Sequence, residues 1–321
     1  MVRFVLSVED LGRMRFAVSP LWETSMSLTA LRDPASAALH LPYLRRLSGR
    51  LDGVPLAPVV ALVPTSGYRP DFLTPPPSGP LGQIEDDLQA MRATPLKQVR
   101  REMALFAEQH PDIAVPPGWQ TRTRKELRGA ADTLEAYWGR ALAEVWPRIN
   151  AFLSADIAHR ARRLADGGPA ALFADLHPDV SWGEDHIDVV NRREATIELD
   201  GRGLVLMPSV FQWERPAMID LPPWQPTLIY PARGIATLWD DGGSAPDGVA
   251  RLLGAGRATV LAALDAPRST TELARTLDLS PATVSHHLGV LRDAGLLSTE
   301  RTGKVVLYAR TSLGDALISA A

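Results

Sequence analysis

The chain has 321 residues, 45% hydrophobic and 22% charged, with a formal net charge of −3. That describes an ordinary soluble protein with room for two domains and a sizeable core. It contains no run of about 18 apolar residues, which excludes a membrane-spanning helix, and with no Cys nothing in it needs an oxidising compartment.

The N-terminus, MVRFVLSVEDLGRMRF, is interrupted by acids and lacks a small-residue cleavage site, so it does not read as a signal peptide. A cytoplasmic location is expected. The charge is divided unevenly. Of the 34 Lys/Arg and 37 Asp/Glu, 8 and 7 lie from Asp247 onward, leaving 26 and 30 before it. The C-terminal part is therefore +1 and the preceding part −4.

In chain order, Val2 to Leu6 and Phe16 to Val18 read as strands. Pro20 begins a helix with Leu21, Trp22, Met26, Leu28 and Leu31 as its apolar positions, ended by Arg32-Asp33-Pro34. Ala35 to Leu47 predicts another helix. Eight prolines between Pro55 and Pro80 exclude helix there and predict an extended surface excursion. Helices resume at Ile84, and Pro95 starts one that ends near Gln109-His110-Pro111. A spacing of three and four then runs from Leu127 to Leu164, one long amphipathic helix or two end to end, with Pro147 set to kink or break it. It reads as an internal bundle helix rather than a dimer seam.

Beyond Gly167-Gly168 the pattern becomes β. Strands are expected at Ile187 to Val190, Ala195 to Leu199, Leu204 to Pro208 and Thr227 to Tyr230, with Asp200-Gly201-Arg202-Gly203 as a hairpin turn. Phe211, Trp213, Trp224, Tyr230 and Trp239 crowd this region. If the large domain senses a signal, Phe211, Trp213, Trp224 and Tyr230 are where an organic small-molecule effector would rest. The other reading is that they are core and the domain only sets dimer geometry. Asp240 to Gly248 is the clearest linker, which gives an α+β domain over 1–241, a linker over 242–248 and a C-terminal domain over 249–321.

That last domain organises the chain. Ser269 caps a helix and Glu272, three residues on, completes a capping box. Leu273, Ala274 and Leu277 share one face. Asp278-Leu279-Ser280 breaks the helix, and Ser280 caps the next, with Pro281 in its first position. Val284, Leu288 and Leu291 form the core stripe of this second helix, and Gly295 suits its C-terminal cap. Leu296 to Thr299 and Lys304 to Tyr308 then predict two strands joined by Glu300-Arg301-Thr302-Gly303. This is a helix-turn-helix with a basic wing.

The second helix is the one to enter the major groove of double-stranded DNA. Its outward face near Ser280 carries Ala282, Thr283, Ser285 and His286, short groups that can approach base edges. His287 borders the core stripe and reads equally as structural or as a phosphate contact. Arg292 suits a phosphate, and Arg301 and Lys304 suit minor-groove or backbone contact from the wing.

VSHHLGVLRDAGLL followed by a basic hairpin and YAR resembles the ArsR/SmtB family of winged-helix repressors. The preceding LLGAGRATVLAALDAPRSTTELARTLDLS resembles that family's first helices, so the resemblance spans about Val249 to Thr311. MRFAVSPLWETSMSLTALRDP resembles the opening of large ArsR-like regulators with an extra N-terminal domain. The resemblance implies a homodimeric transcriptional regulator that reads an inverted repeat and answers a signal. Metal-sensing members place cysteines on the first helix of the motif, here TELARTL, or His and acidic ligands on a C-terminal helix, here SLGDALISAA. Neither metal site is expected.

Enzymatic signals are poor. Gly201-Arg202-Gly203 and Gly254-Ala255-Gly256 lack the third glycine of a dinucleotide loop, and neither G-x-S-x-G nor H-E-x-x-H occurs. Glu184-Asp185-His186 with Asp188 reads as a solvated acidic turn rather than a metal site. No cofactor and no enzymatic activity are expected. The remaining alternative is an interaction module or an enzyme with an accessory winged helix.

Overall fold

This computed structural model describes residues 1–34, 37–235, 238–239, 247–264, 267–302 and 305–319. They fall into two compact units, Met1–Trp239 and Asp240–Ala321.

The first unit opens with strand β1 (Val2–Val5), whose alternate residues Val2 and Phe4 are buried. Helix α1 (Val8–Gly12) starts on a capping box between Ser7 and Asp10. Strand β2 (Arg15–Phe16) is shorter than expected. Helix α2 (Pro20–Arg32) begins at the proline, and Ser19 accepts the Trp22 amide at 3.0 Å. Ten of its residues are buried, Glu23, Thr24, Ser25 and Ser27 among them, so α2 lies inside the unit rather than along its surface.

The helix expected over Ala35 to Leu47 is instead a 3-10 turn at Ala38–His40 that runs into α3 (Leu41–Arg46), with residues 35 and 36 outside the described ones. The proline-rich stretch also departs from expectation. Helix α4 (Ala57–Val60) forms within it, with Pro58 in the first turn, where no helical N–H is lost. Val59, Leu62, Val63, Phe72 and Leu73 are buried. Apolar burial thus draws the stretch into the core instead of leaving it as a surface excursion.

Helices α5 (Ile84–Ala93), α6 (Leu96–Gln109), α7 (Gly118–Thr121) and α8 (Thr123–Ala141) follow. The long apolar pattern is two helices, because α9 (Trp146–Phe173) restarts with Pro147 in its first turn. Helix α9 is interrupted at Gly167 and Gly168 and then resumes, so the change to β comes later than that pair.

Strands β3 (Val180–Trp182), β4 (His186–Val189) and β5 (Ala195–Glu198) join β1 in a sheet of order β3-β4-β1-β5. Strands β6 (Val205–Ser209), β7 (Ala217–Ile219) and β8 (Thr227–Pro231) join β2 in a second sheet, β2-β6-β8-β7, where β2, β6 and β8 run parallel.

The expected hairpin at Asp200 to Gly203 does not form. β5 pairs with β1 and β6 with β2 and β8, so the turn hands the chain from one sheet to the other. Asp200, Gly201 and Gly203 all have positive φ, and the Gly203 amide donates to the Asp10 carboxylate at 2.9 Å. Burial explains the handover. β5 alternates partly buried and exposed residues, whereas every residue of β6 is buried and needs cover on both faces. Val205, Met207 and Ile229 face the helical core. Leu206, Leu228 and Tyr230 face a second core shared with Val2, Phe4, Ile187, Leu172 and Phe173.

In the second unit, residues 242–246 of the expected linker lie outside the described ones, while Asp247 and Gly248 already belong to helix α10 (Asp247–Leu253). Helix α11 (Ala255–Ala262), strand β9 (Arg268–Ser269), helix α12 (Thr270–Leu277) and helix α13 (Pro281–Asp293) come next. Strands β10 (Leu297–Thr302) and β11 (Val305–Arg310) and helix α14 (Ser312–Ser319) complete it. The sheet order is β10-β11-β9, and Val249, Leu261, Leu273, Val284, Leu288 and Leu291 are buried in the unit's own core. The chain is therefore a mixed helix-and-sheet protein whose larger N-terminal unit precedes a C-terminal helix-turn-helix.

Candidate nucleic-acid interface

Local chemistry sets the two helices of the motif. The Ser269 hydroxyl accepts the Glu272 amide at 3.3 Å and the Glu272 carboxylate accepts the Ser269 amide at 2.8 Å. These bonds hold the Glu272 carboxyl below its ordinary range. Helix α12 ends on Asp278 in the left-handed region at φ 52°, and the Leu279 amide reaches back to the Ala274 carbonyl at 3.0 Å. Ser280 then accepts the Thr283 amide at 3.1 Å, and Pro281 fixes the first turn of α13. At the far end, the Gly295 amide donates to Arg292 O at 2.8 Å and the Leu296 amide to Leu291 O at 3.0 Å, with Gly295 at φ 73°. That bond pair is the Schellman arrangement, and it turns the chain into β10.

Val284, Leu288 and Leu291 face the core, while Ala282, Thr283, Ser285 and His286 are exposed on the opposite side. Ser280 and Thr283 also share a hydroxyl–hydroxyl bond of 2.8 Å, so both serve the cap before any base could engage them. His287 turns toward α11. A Cβ placed on Gly256 would stand 2.9 Å from its Nε2, and its Nδ1 is shielded with no hydrogen-bond partner. Partial burial, then the neighbouring His286 and Arg257, holds this imidazole below its usual pKa. The geometry favours the packing role for His287. Arg292 is exposed but donates to Asp293 at 2.8 and 3.1 Å, which offsets its charge.

The hairpin pairs Arg301 with Val306 in register and leaves Arg301 exposed. Gly303 and Lys304 lie outside the described residues. Two features of this unit carried no sequence signal. Strand β9 is two residues long, too short to show a period of two, yet it adds a third strand beside β11. Arg310 donates to the Leu261 and Ala262 carbonyls at 3.3 and 3.2 Å and pairs with Asp315 at 2.7 Å, closing the C-terminal end of α11.

The four aromatics expected to hold an effector do not come together. Phe211 is 5% exposed and packs against the rings of His40, Tyr43 and Trp239. Trp213 is 45% exposed. Trp224 donates its Nε1–H to Glu102 at 2.7 Å. Tyr230 sits in the other core, its hydroxyl donating to Asp156 at 3.0 Å. The alternation of β8 sends Tyr230 to the face opposite the helical core. None of the four lines either of two surface clefts, found at Leu96–Asp132 and at Pro55–Ala136.

The acidic turn near His186 is taken up by ion pairs. His186 contacts Asp185 at 2.9 Å and Asp188 at 3.5 Å, and Asp188 holds Arg3 at 2.7 Å. Among the described residues no group of three or more His, Asp or Glu could hold a metal ion. Among them, too, no helix is long and apolar enough to cross a membrane.

Comparison with known families agrees with this geometry at its own resolution. A family model described as a helix-turn-helix domain matches residues 257–300, from α11 into β10. Another, described as a family of unknown function (DUF5937), matches residues 113–236. No curated protein and no solved structure matches the chain. The helix-turn-helix, with an exposed polar face on its second helix, points to DNA-binding transcription regulation.

Proposed function

We propose that this chain is a cytoplasmic, non-enzymatic transcriptional repressor of ArsR/SmtB type that binds an inverted repeat as a two-fold homodimer. Helix α13 enters the major groove and reads bases with Ser285 and His286, while Arg301 and Lys304 supply phosphate or minor-groove contacts. The N-terminal unit sets dimer geometry and senses an organic effector, which acts only if it binds two arrangements of the dimer with different affinity.

The observation that carries this reading is the face of α13. It holds four exposed short or polar side chains, Ala282, Thr283, Ser285 and His286, opposite three buried ones, beside an antiparallel hairpin. Such a face fits the groove closely, and the module's balance of +1 makes a second copy necessary for phosphate contacts. Selection from a random duplex library on the full chain tests it. Enrichment of an inverted repeat with half-sites about one helical turn or a multiple apart is expected. No enrichment, or a monomer on a single half-site by light scattering, overturns it.

A further inference from the structure

The N-terminal unit belongs to the acidic part of the chain, yet one cleft in it is strongly basic. The cleft lies between α6 and α8, has a volume of about 670 Å³, and is lined by Leu96, Arg100, Arg122, Arg124, Lys125 and Arg128, with Asp132 at its margin. The cleft is open to solvent, and Arg100, Arg122, Arg124, Lys125 and Arg128 are all exposed.

The charges in the cleft are only partly offset by their neighbours. Asp132, the carboxylate among the lining residues, is already engaged by Arg92 at 2.9 Å, and Arg92 also holds Glu135 at 2.6 Å. Arg122 stands 3.6 Å from Glu126. Among the described residues, Arg100, Arg124, Lys125 and Arg128 have no carboxylate partner.

One of these cations is anchored from below. Arg100 donates its Nε–H to Thr123 Oγ1 at 2.9 Å, and the Thr123 hydroxyl, 1% exposed, donates to the Trp119 carbonyl at 2.7 Å. The guanidinium is thereby oriented at Nε with its two terminal nitrogens left over, the fork that matches phosphate oxygens. Like charges crowded into a concave site repel one another, and a multiply charged anion removes that repulsion. A single carboxylate offsets one of the four cations, whereas a phosphate monoester carries up to about two negative charges and a pyrophosphate group more.

We propose that this cleft binds a small metabolite bearing a phosphate or pyrophosphate group, held by Arg100, Arg124, Lys125 and Arg128. If the chain is the regulator described above, this is its effector site, but the binding itself does not depend on which duplex the C-terminal unit reads.

Calorimetry on the full chain with sodium pyrophosphate, at matched ionic strength, tests the proposal. Saturable binding with one site per chain is expected, weakened at least tenfold by Arg124→Ala with Arg128→Ala. A control of equal charge loss, Arg162→Ala with Arg192→Ala at exposed positions outside the cleft, should change it less than twofold. Unchanged Trp-detected unfolding of both variants shows that they remain folded. Absence of saturation, or equal weakening by the control, overturns the proposal. Binding to a random DNA duplex forms the second arm, and the cleft variant should leave its salt dependence unchanged. A slope lower by about two units would assign these cations to DNA phosphates instead and overturn the metabolite reading.

Discussion

The helix-turn-helix and the interior of the N-terminal unit satisfy their polar groups in different ways. In the helix-turn-helix the capping partners are neighbours in sequence: Ser269 with Glu272, and Ser280 with Thr283, each three residues apart. The buried carboxyl groups of the N-terminal unit take theirs from far away. Glu23 accepts the Val210 and Phe211 amides, Glu102 accepts the Phe72 amide and the Trp224 indole, and Asp156 accepts the Tyr230 hydroxyl and the Arg233 amide. A locally satisfied unit loses a modest, bounded amount with each change. A unit held by distant buried charges loses more, and its stability depends on pH.

Arg160 offers the strongest test of that contrast. Its side chain is fully buried, donates to Asp175 Oδ1 at 2.6 Å, stands 3.8 Å from Asp156 and lies 5.8 Å from the Tyr230 ring. Arg160→Ala leaves the Asp156 carboxylate buried without its cation and should cost about 3–5 kcal/mol. Arg160→Met, which keeps most of the volume, should recover part of that loss. All eight Trp precede Asp240, so urea unfolding followed by Trp fluorescence reports the first unit alone. A loss below about 1 kcal/mol would remove the buried network from the account.

Protons give the next largest effect. Burial pushes the Glu23 carboxyl up to about 7 and that of Asp87 to about 6. Burial, then the nearby Glu102 and Asp220, raises Asp71 well above its ordinary value. A carboxyl with a raised folded-state pKa holds its proton longer when folded than when unfolded. Its contribution is fully present below its unfolded value near 4.5 and is lost as pH rises through about 7 for Glu23. The total for Glu23 is on the order of 3 kcal/mol. The Trp-detected unit should therefore weaken from pH 5 to pH 7.5. Glu23→Gln should flatten the slope by up to about 1.4 kcal/mol per pH unit. A slope that Glu23→Gln leaves unchanged would place the effect on other groups.

The same contrast decides what the sequence revealed. The helix-turn-helix was legible because its signals are local: Ser269-to-Glu272, Ser280-Pro281, the stripe of Val284, Leu288 and Leu291, and Gly295. The start of α2 at Pro20 and the restart of α9 at Pro147 were legible for the same reason. The handover at Gly203 was not, since it rests on Asp10, distant in sequence. Helix α4 was hidden by a proline rule that does not apply in a first turn. The aromatic residues read as one pocket because they are close in sequence, but the strand alternation and long-range bonds of Tyr230 and Trp224 separate them. On the DNA side, His287 was ambiguous because only the tertiary approach of Gly256 shows which way its ring turns.

On the face of α13 the expected effects are smaller and show in specificity. Ser285→Ala or His286→Ala should cost about 1–3 kcal/mol on the selected operator at the bases concerned. Neither should move the Trp-detected transition, because both side chains are exposed and belong to the other unit. Competition binding against random duplex measures this. Equal weakening on specific and random DNA would make these residues phosphate contacts.

The smallest effect sharpens the comparison most. Ser280→Ala removes the acceptor of the Thr283 amide and the hydroxyl that Thr283 shares with it. An N-cap of this kind is worth about 1 kcal/mol, and Ser280→Asp should retain most of it. Because the lost bond is local, the Thr283 amide should exchange its hydrogen roughly fivefold faster in Ser280→Ala, as 1 kcal/mol implies. Operator affinity should fall by a similar factor, since the first turn of α13 carries the exposed Ala282 and Thr283. Meanwhile the Trp-detected transition should stay in place. If it shifts together with the amide exchange, the two units fold as one cooperative body. The local bookkeeping of caps would then no longer be separable from the long-range network around Arg160.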